Sequence, residues 1–390
     1  MALADPPGGS TPPTTTLVRV APTYGRAAPP ESDRGREPRG YSPSHVAHRP
    51  TPLRFPALSV VVVNFCQWRN TARLVTQLRR SVAVRTGTAG VVVVDNHSPF
   101  HPVVRRLRRL SGVTIRRFSR NHGFARAVNR GCRVGVPPPH DADRPQWVLL
   151  LNPDVTVTDG FLDDVLAAVG LLPSDDPAVG VVGFRLTNPD GSGQASSGPF
   201  PTLRNTLGGL LRPRSRRKCR HRDATGRGAV SWVTGGCLLV RRDCFDRLGG
   251  FDESFFLYYE DVDFCRRAAA AGWGVRYDPG LEVTHHWPLH ARRVPAPLRL
   301  MTRHALLTYA CKHWSRWRAG ALASVVWAEA GVRQAAAAAR GDADGVRCHG
   351  ELRRLVGDVW RGRAAAARKR IRRAAAFLNP IAAEQDGKTA

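Results

Sequence analysis

Two stretches decide the reading of the chain: Leu58-Ser-Val-Val-Val-Val-Asn64 and Gly90-Val-Val-Val-Val-Asp95. Each is a β-branched run too short for a helix and closed by a polar residue. Continuous apolar runs of this length fit strands buried on both faces. The stretch from Arg69 to Val84 between them is amphipathic, and the pattern recurs with Pro102 to Leu110 and then Val113 to Phe118. Short β-branched runs alternating with amphipathic stretches are the mark of β-α-β units, so the expected fold class is α/β with a mostly parallel central sheet. Further strands are expected at Trp147 to Asn152, Val179 to Phe184, Val230 to Thr234 and Cys237 to Arg241. After about Pro297 the strands stop. Leu298 to Trp317, Ala319 to Ala339 and Glu351 to Phe377 are compatible with helices, the last carrying the basic run Arg361 to Arg373. The expected organisation is a disordered Pro/Arg-rich tail over 1–56, a catalytic α/β domain over 57–296, a helical basic region over 297–378 and a flexible tail over 379–390.

The 390 residues include 59 Lys and Arg against 31 Asp and Glu, a net charge of +28. Such a balance attracts something anionic: nucleic acid, phospholipid headgroups or a diphosphate substrate. A second basic cluster lies at Arg212 to Arg222. The eight cysteines form no Cys-x-x-Cys pair, which argues against a zinc knuckle or a disulfide scaffold and for reduced thiols in the cytoplasm. No apolar run approaches the roughly 18 residues that cross a bilayer, and the Pro-rich N-terminal stretch lacks the pattern of an export leader, so neither a spanning nor an exported protein is expected.

In an open parallel sheet, ligands sit beyond the carboxyl ends of the strands. The polar residues there are Asn64, Asp95-Asn96 and Asn152-Pro-Asp154. No Gly-x-Gly-x-x-Gly follows the first strand and no P-loop occurs, which counts against ordinary dinucleotide and P-loop sites. Asp154, just past a buried strand, is placed to hold a hard divalent cation that also binds phosphate oxygens, although Asn-Pro-Asp is equally good turn chemistry. A second acidic group, Glu260-Asp261-x-Asp263, opens an amphipathic helix amid aromatic residues. The helix N-terminus favours ionised carboxylates, Asp263 can pair with Arg266 or Arg267, and an ionised Asp there can serve as a general base. His285 and His286 follow a short expected strand, Leu281 to Val283, and either imidazole could complete a metal site.

Taken together these motifs resemble the inverting family 2 glycosyltransferases of the GT-A fold, in particular the rhamnosyltransferase-like group acting on polyprenyl-linked sugars. The matching stretches are Ser59 to Asn64, Val93-Val-Asp-Asn96, Asn121-His-Gly-Phe-Ala-Arg-Ala-Val-Asn-Arg-Gly131, Leu150-Leu-Asn-Pro-Asp154, Asp190-Gly-Ser-Gly-Gln194 with Phe200-Pro-Thr202, and Trp232-Val-Thr-Gly-Gly-Cys237 through Arg267. They span roughly Leu58 to His313 in the family's order.

The resemblance implies roles. Asp95 would contact the nucleobase with Asn64 lining the same pocket, and the loop at Asn121 and Gly123 would approach the nucleotide sugar. Asp154 would bind Mg2+ or Mn2+ with His285, while Asn152 stands where many relatives have Asp and belongs to the donor pocket. Gly235 and Gly236 would let the backbone approach the acceptor, and Asp261 of the Glu260-Asp261 pair would be the base. The implied reaction moves a sugar, best L-rhamnose from dTDP-rhamnose, onto a hydroxyl of a polyprenyl-diphosphate-linked or cell-envelope glycan. A UDP-hexose or galactofuranose transferase of the same fold is the alternative, and a basic nucleic-acid-binding protein is the rival from another class. No specific nucleic acid is expected as a partner. The basic C-terminal helix is read as a surface for an anionic membrane leaflet on the cytoplasmic side, separate from the unit that holds Asp95, Asp154 and Asp261.

Overall fold

A computed structural model describes residues 57–135, 146–170, 179–210, 226–286 and 295–378; the expected tails and the basic cluster at 212–222 lie outside the described residues. The chain begins with β1 (Leu58–Asn64), α1 (Trp68–Leu78), α2 (Val82–Arg85), β2 (Ala89–Asp95), α3 (Val103–Leu107), β3 (Val113–Arg117), α4 (Phe124–Gly135), β4 (Trp147–Leu151), β5 (Val155–Thr156) and α5 (Phe161–Gly170). It continues with β6 (Val179–Thr187), β7 (Gly193–Gln194), β8 (Ser197–Gly198), α6 (Leu203–Leu210), β9 (Gly228–Ala229), β10 (Trp232–Val233), β11 (Cys237–Arg241), α7 (Arg242–Arg247), α8 (Glu260–Ala270) and β12 (Gly274–His285). Four helices follow: α9 (Ala296–His313), α10 (Arg316–Ala339), α11 (Ala343–Trp360) and α12 (Ala364–Ala376).

The main sheet runs β3-β2-β1-β4-β11-β6-β12-β5. Its first four strands are parallel, and the register sets Asn64 beside Asp95, so the two polar strand ends share one edge. Every residue of β1 is buried, as a valine run covered on both faces must be. Alternate side chains feed two cores. One holds Val60 and Val62 with residues of α1, α3 and α5; the other holds Val61 and Val63 with residues of α4, α7 and α8 and with Ala305 and Tyr309 of α9. Gly131 lets α4 lie close on the sheet, since a Cβ there would stand 2.4 Å from a methyl of Val61.

The sheet departs from a purely parallel one at β11, which runs antiparallel between β4 and β6. The expected strand at 230–234 shortens to β10, paired with β8 in a separate two-stranded sheet. The expected helix over 69–84 is two, because the carboxylate of Asp163 in α5 caps α2 by accepting from Val82 N at 2.9 Å and Ala83 N at 2.7 Å. The expected helix over 351–377 also divides, at Gly362 with φ +68°.

The basic helix α12 is not separate from the unit that holds the strand-end carboxylates. Ala367, Ile371 and Ala375 pack with Phe256, Leu298, Met301 and Leu355 in one cluster. Helix α9 docks through charge as well: Asp263, fully buried, meets Arg267 Nε at 2.8 Å, Lys312 Nζ at 2.8 Å and His313 Nε2 at 2.7 Å. Burial alone would raise this carboxyl, but His313, Lys312 and Arg267 outweigh it and hold it at about 2. A carboxyl held below its unfolded value stabilises the fold above that value and loses the contribution as pH falls toward the folded one. The Asp263 cluster should therefore contribute about 2 kcal/mol near neutrality that disappears between roughly pH 4 and pH 2. Asp263→Asn should lower the urea midpoint at pH 7 and flatten the acid limb of stability against pH; an unchanged acid limb would remove α9 from this role.

Candidate active site

The edge at Asn64 and Asp95 is closed by its own hydrogen bonds. Asn64 Nδ2 donates to Asp95 Oδ1 at 3.1 Å and Ser98 Oγ at 2.9 Å, and its Oδ1 accepts from Thr71 Oγ1 at 2.9 Å and Gln67 N at 3.2 Å. Asn64 thus reaches the site only by fixing Asp95. Asp95 Oδ1 also accepts from Ser98 N at 3.0 Å, while Oδ2 lies 3.2 Å from Arg117 Nε without hydrogen-bond alignment, leaving it acceptor capacity. Burial pushes this carboxyl up despite Ser98, Asn64 and Arg117.

Asn96 ties the next loop in place. Its Nδ2 donates to Asn121 Oδ1 and its Oδ1 accepts from His122 N, both at 2.9 Å, and Gly123 N donates to Asn121 Oδ1 at 2.9 Å. Gly123 has φ +91°, and a Cβ there would stand 2.5 Å from the carbonyl oxygen of Phe256, which accepts from Phe124 N at 2.7 Å. Only glycine permits that approach. The Asn121 loop is thereby fastened to the loop that leads into α8.

Asp154 and His285 meet across β5 and β12, whose register sets His285 opposite Val155. Gln194 decides the imidazole's tautomer. Its Nε2 donates to His285 O at 2.6 Å and Asn188 Oδ1 at 2.8 Å, so its Oε1, 3.0 Å from His285 Nδ1, must accept a proton from that nitrogen. In the neutral ring His285 Nε2 then carries a lone pair. It accepts from Asn152 Nδ2 at 3.4 Å and faces Asp154 Oδ1 at 3.5 Å. A lone pair directed at a carboxylate oxygen suits a cation held between them, and a ring N–H donated away from the site is the usual support of a metal-ligating histidine. His286 turns elsewhere, with Nε2 2.7 Å from Thr156 Oγ1. Among the described residues no group of three or more His, Cys, Asp and Glu side chains converges. Two protein ligands suit a hard cation that takes its remaining oxygens from phosphate and water.

Asp261 stands at the start of α8, half-buried. Its Oδ2 accepts from Gly235 N at 2.9 Å and its Oδ1 from Val262 N at 2.8 Å, and each oxygen keeps room for a further proton donor. Gly236 O accepts from Asn152 N at 3.1 Å. The Gly235-Gly236 turn therefore touches Asp261 on one side and the Asn152 strand end on the other. Glu260 is turned inward and only 5% exposed, which leaves Asp261 as the more accessible of the pair.

All the sequence-derived residues fall in this connected region. In the sequence Gln194 stands out only as the end of a motif and Phe256 only as one of the aromatics ahead of Glu260, and nothing singles out Ser98. Gln194 carried a signal in its motif; Phe256 acts through its backbone carbonyl, which no residue type announces.

The sequence pattern described as "Glycosyltransferase like family 2" matches residues 56–306. The chain is 33% identical over 275 residues to the N-acetylglucosaminyl-diphospho-decaprenol L-rhamnosyltransferase of Mycobacterium tuberculosis, covering 67% of this chain and 87% of that one. It is 28% identical over 140 residues to rhamnosyltransferase WbbL of Escherichia coli, covering 36% and 52%. Among solved structures, a mannosyltransferase from Pyrobaculum calidifontis in complex with GDP-Man and Mn2+ aligns with a TM-score of 0.44 at 19% identity, over 87% of this chain and 90% of that one.

The hydrogen bonds of the two histidines separate their roles. Titration of Mn2+ in the presence of dTDP, followed by electron paramagnetic resonance, should show weakened binding in His285→Ala and in Asp154→Ala, with His286→Ala close to wild type. Equal retention of Mn2+ by all three variants would reject the pair as ligands.

Proposed function

We propose that this chain, which belongs to the family 2 glycosyltransferases, transfers L-rhamnose from dTDP-rhamnose to a hydroxyl of a sugar linked through diphosphate to a polyprenol. The observation that carries the reading is the Gly235-Gly236 turn, bonded to Asp261 at one side and to Asn152 at the other. It sets a proton acceptor and a donor-side strand end about one backbone turn apart, the juxtaposition that a single displacement needs. The relative from Mycobacterium tuberculosis is, by its description, an L-rhamnosyltransferase acting on a decaprenyl-diphosphate sugar, and this supports the sugar transferred and the acceptor class.

In this reading Asp95 Oδ2 accepts a nucleobase N–H and the Asn121 to Gly123 loop approaches the nucleotide sugar. Asp154 and His285 would hold Mg2+ or Mn2+, and the chemistry such an ion would supply there is neutralisation of charge on the leaving diphosphate. Asp261 accepts the proton of the acceptor hydroxyl as its oxygen bonds to the anomeric carbon and the carbon–oxygen bond to the nucleoside diphosphate breaks. One displacement inverts the anomeric centre without an enzyme-bound sugar, so one base suffices. Backbone N–H groups of Gly235 and Val262 keep the carboxylate aimed without consuming its capacity to accept.

Among the described residues no helix is long and apolar enough to cross a membrane. Helices α10 and α11 expose Trp317, Trp327 and Trp360, a residue type suited to the headgroup region, and α12 adds positive charge. These features support peripheral attachment to the cytoplasmic leaflet that carries the acceptor.

A panel of dTDP-rhamnose, UDP-galactose, UDP-glucose and UDP-galactofuranose, offered with a short-chain prenyl-diphosphate N-acetylglucosamine acceptor, tests the proposal. Rhamnosyl product of inverted configuration is expected, and transfer of a hexose from a UDP donor alone would reject the donor. Asp261→Asn should lose roughly 10² to 10⁴-fold in turnover with nucleotide binding retained. Near-normal turnover by folded Asp261→Asn would move the base to Glu260.

A further inference from the structure

We infer that Arg368 and Arg372 of α12, with Arg120 and Arg126 beside the Asn121 loop, form a subsite for the diphosphate of a prenyl-diphosphate acceptor. The inference rests on the acceptor class proposed above and assigns it a place.

Helix α12 is fixed at the rim of the site. Ala367, Ile371 and Ala375 recur every fourth residue, and all are buried in the cluster that contains Phe256. Phe256 precedes Asp261 by five residues, and its carbonyl holds the Asn121 loop through Phe124 N. Arg368 and Arg372 each follow one of the buried residues, so they lie together along the edge of that face. Arg368 Nη2 donates to Glu253 O at 3.0 Å, which brings it against the loop before Phe256.

The charges there do not balance. Arg126 Nε lies 3.6 Å from Glu253 Oε2, and the other oxygen of Glu253 accepts from Asn129 at 3.3 Å. Glu253 is the one carboxylate among these contacts. Arg372 Nε is shielded from water and meets no acceptor among the described residues. Burial and then the like charges of Arg120, Arg368 and Arg126 push the Arg372 guanidinium down, and Arg126, Arg120 and Arg372 do the same to His122 after burial. Arg370 on the same helix shows the contrast: it reaches Glu351 Oε2 at 2.6 Å and Asp358 Oδ2 at 2.7 Å. Compositional bias would treat these arginines alike, whereas the fold neutralises Arg370 and leaves its neighbours crowded by like charge.

Guanidinium groups bind phosphate oxygens in forked pairs, and a diphosphate ester brings enough negative charge to relieve such crowding. The acceptor's reacting hydroxyl and its diphosphate sit on the same sugar, so the anion must bind within a sugar's reach of Asp261. The arginines flank the loop that leads to Asp261, whereas Asp154 and His285 stand at β5 and β12. This arrangement favours the acceptor's diphosphate over the donor's.

Binding to the full-length protein without sugar transfer tests the subsite, so its result stands apart from that of the donor panel. The probes are geranyl diphosphate, inorganic phosphate, dTDP with Mn2+, and phosphatidylcholine vesicles with and without phosphatidylglycerol. Arg368→Gln/Arg372→Gln should bind geranyl diphosphate about 10 to 100-fold more weakly, with dTDP affinity unchanged. Arg370→Gln, which removes a positive charge from the same helix outside the subsite, should bind geranyl diphosphate as wild type does, and Arg368→Lys/Arg372→Lys should recover part of the affinity. Matching unfolding midpoints confirm that the comparison is between folded proteins. Equal geranyl diphosphate binding by wild type and the double Gln variant overturns the inference. So does a matching loss of dTDP affinity, which would give the arginines to the donor, or a loss seen only with phosphatidylglycerol vesicles, which would leave them a membrane surface. Inorganic phosphate competing as well as geranyl diphosphate would also overturn it, by showing a simple phosphate site.

Discussion

Strand β11 runs antiparallel beside β4, so its first residue, Cys237, pairs with the last residue of β4, Leu151. The two residues before β11 are therefore delivered to the edge where β4 releases Asn152 and Asp154. A parallel β11 would carry Gly235 and Gly236 to the opposite edge, far from every strand-end carboxylate. The ladder is short and made of apolar pairs such as Leu238 with Leu150 and Leu239 with Leu149, so the site's dimensions depend on buried leucines that have no chemistry of their own. Once the turn is in place, its two glycines offer backbone groups at close range: the Gly235 N–H goes to Asp261 and the Gly236 carbonyl receives Asn152.

The valine runs were legible as strands because burial on both faces leaves a chemical trace at every position, and the polar residues ending them were legible as candidate ligand groups. The direction of β11 was not. An apolar run of five residues reads the same whether its neighbours run parallel or antiparallel, and only the connection lengths and the register decide. The choice between His285 and His286 shows the same limit, since it depends on Thr284 pairing with Thr156 and on the Gln194 amide that faces His285. Asn64 was legible as a strand-end polar residue but not as a saturated one, because its partners Thr71, in α1, and Ser98, in the loop after β2, carry no signal individually.

Charge was the feature most easily misread from composition. A total of +28 pointed with equal force at nucleic acid, lipid and diphosphate. The fold sorts the basic residues by what surrounds them. Lys312 and Arg267 are spent on Asp263, Arg370 on Glu351 and Asp358, and Arg303 on Glu329, all of which are structural pairings. Arg372 on α12 is different, since its Nε meets no acceptor among the described residues. The C-terminal helices thus supply part of the wall of the α/β unit, through Leu355 and Ile371 against Phe256.

That wall also bears on the backbone ahead of Asp261. Tyr258 and Tyr259 both adopt positive φ, at 73° and 66°, a conformation that costs about 1 to 3 kcal/mol for each such residue. Two left-handed residues in succession reverse the chain sharply enough to begin α8 with Glu260 inward and Asp261 beside Gly235. Part of the restraint on this turn comes from its flanks. Helix α9 supplies it on both sides: Lys312 bonds Asp252 before the turn and Asp263 after it, His313 adds a second bond to Asp263, and the Tyr309 ring packs 5.7 Å from that of Tyr259. A loop clamped at 252 and 263 cannot relax its tyrosines without straining these ion pairs, of which those at Asp263 are buried. The orientation of Asp261 is therefore supported by a helix that lies outside the group formed by Asn152, Asp154, Gly235, Asp261 and His285, and that support extends as far into the sequence as His313.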